Sequence, residues 1–176
     1  MKMNTVPIES VYVTSLEEVF YGGALVALTM ALHGFGMLGV VRANHTLKNC
    51  LGPRTNIVAN LLPVIFTSWL IMLVHLVEVA LWALFFLWKG AFPNHSTAYY
   101  FSLNEYTTVG SNFNLPLKWR LLEGMLATAG LLAFAWSTGI LFTLAQEFMD
   151  QHTSLFRQRH SSRQVETKLP PATQNI

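Results

Sequence analysis

Two groups of residues in this chain have types and spacing that could do chemistry. The first is the run Thr107-Thr108-Val109-Gly110-Ser111-Asn112, set among Tyr100, Phe101, Tyr106 and Phe113. Its chemistry would be that of backbone carbonyl oxygens, which can replace the water shell of a cation when they all face one way. That arrangement requires alternate residues in left-handed backbone geometry, which glycine adopts freely and asparagine more cheaply than most L-residues. Thr107 to Gly110 fits the scheme at each step, and a hydroxyl of Thr107 or Thr108 would add an oxygen at the inner end. Asn104 and Glu105 lie just upstream, where they could brace the run from behind, or Glu105 could simply reach external water.

The second group is His75 and Glu78, three residues apart on one face of a long apolar stretch, with His33 in another such stretch. An ionisable group inside a membrane span costs about 2.5–3.5 kcal/mol and therefore faces protein or water. The pair reads first as a hydrogen bond that fixes helix packing. It also fits a pH-sensing element, or half of a metal site that two ligands do not complete. His33 and His75 could instead be the two axial ligands of a haem. Gly34, Gly36 and Gly39 around His33 read as a close helix-packing face. There is no Gly-rich phosphate loop, no nucleophile elbow and no pair of carboxylates at matching depth, so the chain is not read as an enzyme. No resident cofactor is expected, and no metal beyond a permeating monovalent cation.

These groups need elements to hold them, and the composition says which kind. The chain is 52% hydrophobic and 11% charged, with a mean hydropathy of +0.40. Soluble domains carry about 25% charged residues, so the reading moves to membrane. A net charge of +2 is too small to argue for nucleic acid, no run of alternating basic and aromatic residues suggests it, and no soluble substrate is suggested. The single Cys50 excludes an intrachain disulfide framework.

Three stretches reach the roughly 20 apolar residues a bilayer core requires. Val19 to Val41 and Gly124 to Gln146 carry no charge, and the third stretch, from Ile57 to Trp88, is interrupted only by His75 and Glu78. The Trp82 and Trp88 end of that stretch is expected at the membrane interface. Arg42, Lys48 and Arg54 in the first connection and Arg157, Arg159, Arg163 and Lys168 in the tail put those segments inside, against Lys2, Lys89, Lys118 and Arg120 outside. Residues 89–118 are too long for a tight turn, too apolar for a solvated loop and too short to cross, which describes a re-entrant excursion. Ser96 or Thr97 is the expected cap of its short helix.

Tyr100-Phe101-Ser102, Tyr106-Thr107-Thr108-Val109-Gly110, Trp119-Arg120 and Gly130 together resemble the pore module of potassium channels. With His75, Glu78 and the segment from Glu123 to Ser137-Thr138, the chain is similar to small prokaryotic potassium-channel-like (two-pore-domain-like) proteins with one pore loop per chain. The resemblance covers roughly residues 60–147, about half the chain. It implies an outer and an inner pore helix, a hinge at Gly130, passive conduction of potassium and a homotetramer whose four loops close one ring. The innermost hydroxyl would be that of Thr108. Where the family continues Gly-Tyr-Gly-Asp, this chain has Gly110-Ser111-Asn112-Phe113. It thus lacks a ring that packs behind the filter, a second glycine and a carboxylate at the mouth, so potassium selectivity is expected to be weakened. The alternatives are a non-conducting membrane regulatory subunit with a degenerate pore, and the haem protein.

The expected architecture is an all-α integral membrane protein with three transmembrane helices and a re-entrant pore helix, multi-pass in the plasma or inner membrane. Its segments are an extracellular N-terminal stretch 1–16, an extra transmembrane helix 17–42, a cytoplasmic loop 43–56 and an outer helix 57–88. A pore loop 89–118 follows (helix about 96–106, filter 107–112), then an inner helix 119–147 and a disordered cytoplasmic tail 148–176. The partners are other copies of the chain and the lipid bilayer.

Overall fold

The computed structural model describes residues 12–51 and 57–168 and is helical, with no strand among the described residues. Helix α1 spans Leu16–Leu51, α2 Ile57–Trp88, α3 His95–Tyr106 and α4 Leu121–Lys168, with a 3-10 turn at Leu117–Trp119. Three helices are long and apolar enough to cross a membrane, over Leu16–Cys50, Leu61–Trp88 and Leu117–Asp150. The described residues therefore form an all-α structure compatible with a multi-pass membrane protein.

Helix ends depart from expectation in ways the residues explain. α1 opens on a reciprocal cap: the Glu18 N–H donates to Ser15 Oγ at 3.2 Å, and the Ser15 N–H to Glu18 Oε2 at 3.1 Å. α1 then continues to Leu51 rather than ending near residue 42, because nothing before Gly52-Pro53 breaks a helix. α3 is capped by Asn94, whose Oδ1 accepts the Thr97 N–H at 2.8 Å, and not by Ser96 or Thr97. α4 runs on to Lys168 where a disordered tail was expected; residues 148–168 are polar but contain no Gly or Pro. The rest of the expected segments, 1–11, 52–56 with Arg54, and 169–176 with Pro170-Pro171, lies outside the described residues.

The chain forms two compact units, and each of the three long helices contributes to both. The first comprises Met1–Met37 and Met72–Ala135. Its core holds the fully buried Trp82, Phe86, Phe101, Leu122 and Leu126. Phe101 seats α3, its ring 4.8 Å from Phe92 and 5.6 Å from Phe86. Trp82 is enclosed and donates its indole N–H to Thr29 Oγ1 at 2.9 Å. Trp88 is exposed, with the Lys89 ammonium 4.2 Å from its ring centre. Gly36 approaches Val74 so closely that a Cβ would lie 2.7 Å from Cγ1, the tight packing expected around His33, whereas Gly39 faces open space.

The second unit comprises Leu38–Ile71 and Trp136–Ile176. Val40, Ile71 and Leu144 are buried in it, and Lys48 pairs with Glu147 at 2.6 Å. The Thr67 hydroxyl donates to the Pro63 carbonyl at 2.7 Å, one turn back along α2.

Candidate functional site

The run after α3 is built by turning its N–H groups backwards. Thr107 N–H donates to the Leu103 carbonyl at 3.1 Å and Thr108 N–H to that of Glu105 at 3.0 Å. Val109 and Gly110 N–H share the Asn104 carbonyl at 2.9 and 3.3 Å. The Ser111 N–H goes to the Glu105 side chain, Oε1, at 2.9 Å. Five successive donors are thereby committed to the last turn of α3, and the polar groups the backbone has left to offer here are its carbonyl oxygens. Two alternate residues are left-handed, Thr108 at φ +60° and Gly110 at φ +81°. Gly110 takes that geometry without strain, but a β-branched threonine there is a true outlier worth about 1–2 kcal/mol. Such strain persists only where surrounding bonds over-determine it, as the backward hydrogen bonds do.

The two threonine hydroxyls differ. Thr107 Oγ1 donates to the Leu103 and Asn104 carbonyls at 2.8 and 3.2 Å, so its proton is spent on α3. Thr108 is exposed and its hydroxyl enters no hydrogen bond among the described residues. Asn104 supports the run through its carbonyl, while its side-chain amide bonds the Tyr100 carbonyl at 2.7 Å. Val109 is 74% exposed, and Asn112 is exposed as well. Ser111 Oγ accepts the Phe113 N–H at 3.1 Å, and Phe113 meets Tyr100 edge-on at 6.3 Å. Burial pushes the Glu105 carboxyl above its ordinary value; the Ser111 N–H pulls it back, and the Glu123 carboxylate pushes it further up. Gly130 of α4 lies beneath: a Cβ there would meet the Tyr106 carbonyl oxygen at 2.0 Å.

Tyr106, the last residue of α3, joins the run to the second group. Its hydroxyl donates to the Glu78 carboxylate in a short hydrogen bond and lies 2.8 Å from His75 Nδ1. His33 Nδ1 is 2.9 Å from Glu78 Oε1, and His75 Nδ1 is 3.5 Å from Oε2. All four side chains are buried. Phe134 closes the cluster, 4.6 Å from the His75 ring and 5.6 Å from that of Tyr106. The pair His75 and Glu78 thus acquires His33 from α1 and a phenol from α3. Two axial haem ligands would need iron and a macrocycle between the imidazoles, and the Glu78 carboxylate occupies that position, so the cluster does not fit a haem.

Two functional-looking side chains escaped the sequence reading. The Tyr106 hydroxyl was hidden because the residue reads as one aromatic among several. Glu18 is fully buried, accepts from Tyr12 Oη at 3.1 Å and takes the Leu121 N–H at 3.0 Å; its signal was the Ser15-x-x-Glu18 spacing. Compared with protein-family models, curated proteins and solved structures, the chain matches none, so any functional reading rests on these residues.

Proposed function

We propose that this chain is the subunit of a passive cation channel of the potassium-channel type, with the 107–112 run lining the conduction path. One observation carries the reading: Thr108 and Gly110 are left-handed at alternate positions in a segment whose N–H groups from Thr107 to Ser111 turn back onto α3. That is the backbone geometry by which successive carbonyls can face one way and substitute for water around a cation. Carbonyls of Thr108, Val109 and Gly110 and the Thr108 hydroxyl would hold the ion, and four copies would close the ring. Glu105 braces the outer half through Ser111. The N-terminus would be outside and the C-terminus cytoplasmic, with the basic residues of the first connection and the tail on the inner side.

The permeant ion in this reading is a monovalent cation, potassium first, with reduced discrimination. Ser111, Asn112 and Phe113 leave the outer sites without an enclosing ring or a carboxylate. The test is reconstitution into lipid bilayers with potassium on one side and sodium on the other. Wild type is expected to conduct with a reversal potential short of the potassium value. The double variant Ser111→Tyr with Asn112→Gly is expected to move it towards that value. A reversal potential that the double change leaves untouched would remove the filter assignment. Folded, assembled protein that passes no ion would leave the regulatory-subunit reading in its place.

A further inference from the structure

We propose that His33, His75, Glu78 and Tyr106 form a structural site for one divalent transition-metal ion of the zinc class. This goes beyond the conduction reading and stands independently of it. The four residues come from three helices, α1, α2 and α3. Donor atoms of the two histidines and the glutamate lie within 4.8 Å of one another, and the tyrosine oxygen is 2.8 Å from His75 Nδ1. An ion with bonds of about 2.0–2.2 Å in a tetrahedron holds neighbouring donors about 3.3 Å apart. The separations of 2.9 and 3.5 Å from Glu78 to the imidazoles fall on either side of that distance. These two distances use different oxygens of Glu78, and the three donor atoms lie within 4.8 Å of one another, so side-chain rotation has to close the sphere.

Charge points the same way. A carboxylate buried within an apolar span needs positive compensation. The ion-pair partners of Glu78 among the described residues are the two imidazoles, with no Lys or Arg. A divalent ion bound by two neutral imidazoles, one carboxylate and one phenolate has no net charge, the cheapest state for a site at this depth. Binding expels the phenolic proton to solvent, and each imidazole coordinates through Nδ1 with its proton on Nε2. Two nitrogens and two oxygens suit zinc, cobalt or ferrous iron, whereas calcium and magnesium take oxygen alone and cuprous copper prefers sulfur. Four protein donors close the sphere, which marks a structural ion and not a catalytic one. Such an ion would pin α1 and α2 to the residue immediately before Thr107.

The test uses the full chain purified in detergent without chelator. Elemental analysis is expected to find about one zinc-class ion per chain. After chelation, cobalt(II) alone should restore occupancy, read as visible d–d bands of tetrahedral intensity that saturate near one equivalent. Glu78→Gln and His33→Ala should abolish the bands. Because either may simply misfold, His33→Cys in a Cys50→Ser background is the decisive variant. It replaces one donor with another, so it should keep the cobalt bands and add a thiolate-to-cobalt charge-transfer band in the near ultraviolet. Metal-free wild type that yields no cobalt bands overturns the proposal and leaves a hydrogen-bonded imidazole–carboxylate network. Bands that survive in His33→Ala, or a His33→Cys protein without the sulfur band, overturn it too. None of these readouts depends on ion flux, so their failure and that of the channel reading are separable.

Discussion

A methyl group on Gly130 would lie 2.0 Å from the Tyr106 carbonyl oxygen and 2.9 Å from its carbon, both backbone atoms that cannot swing aside. Gly130→Ala is therefore expected to lower the thermal unfolding midpoint in detergent, with a loss of about 1–3 kcal/mol for overpacking. The family resemblance implies a hinge here, and the close approach gives the glycine a packing role as well. Thr108 gives the opposite expectation. Thr108→Gly relieves about 1–2 kcal/mol of left-handed strain and returns roughly 0.5–1 kcal/mol as chain entropy. Its midpoint should match or exceed wild type even though a hydroxyl is lost, and a clear drop would mean that the φ of +60° carries no strain. Glu105 supplies a pH dependence. Its folded-state pKa is raised above 4.5 by burial, so its contribution to stability is full below that value and fades as pH rises through the folded one. Glu105→Gln keeps an acceptor for the Ser111 N–H but cannot titrate. Stability measured against pH should be flatter for the variant over the weakly acidic range above 4.5, and parallel profiles would exclude burial as the governing influence. The run and the His75–Glu78 pair were legible from residue type and spacing. Their union with His33 and Tyr106 was not, because contacts between residues 45 and 28 positions apart depend on how the helices pack.

At the scale of elements, the sequence is clearest where burial is continuous and weakest where polarity has to stand in for a helix end. Hydropathy places a span over 57–88, and α2 occupies Ile57–Trp88. α1 and α4 outrun their apolar stretches because Asn, His, Thr, Lys, Gln and Arg lower hydropathy without breaking a helix. Around α3, Asn94, Ser96 and Thr97 are all competent caps, and only the backbone path selects Asn94. Glu18 shows what one carboxylate can do between elements. It closes the reciprocal cap of α1 and also accepts the Leu121 N–H at the first turn of α4, serving otherwise unpaired donors at two helix starts. Glu18→Ala is expected to cost about 1–3 kcal/mol, the penalty for leaving these half-buried donors unpaired. Glu18→Gln, which keeps an oxygen acceptor, should lose less. Equal melting points for Ala, Gln and wild type would show that water replaces the carboxylate at no cost.

For the whole molecule, the decisive matter is what covers the run after α3. In the single chain Thr108, Val109 and Gly110 are exposed, Val109 by 74%, and their N–H groups are already spent. Backbone of this kind at membrane depth is tolerated only where protein encloses it or water reaches it. If the run lies at that depth, as the proposed pore loop requires, a lone chain in lipid would meet neither condition. Closed cyclic assembly meets both, because copies arranged around one axis enclose the outside of the loops and leave water on the axis. The proposed carbonyl ring requires four. Native mass spectrometry of the protein in detergent, or in lipid nanodiscs, should therefore give a protein mass four times the 19.8 kDa of one chain. Loop variants that keep the fold but perturb Thr108 or Gly110 should shift the distribution towards smaller species. A stable monomer or dimer as the sole form of wild type would sink the fourfold ring. The buried cluster of His33, His75, Glu78 and Tyr106 would be unaffected by that outcome, since every one of its atoms comes from a single chain.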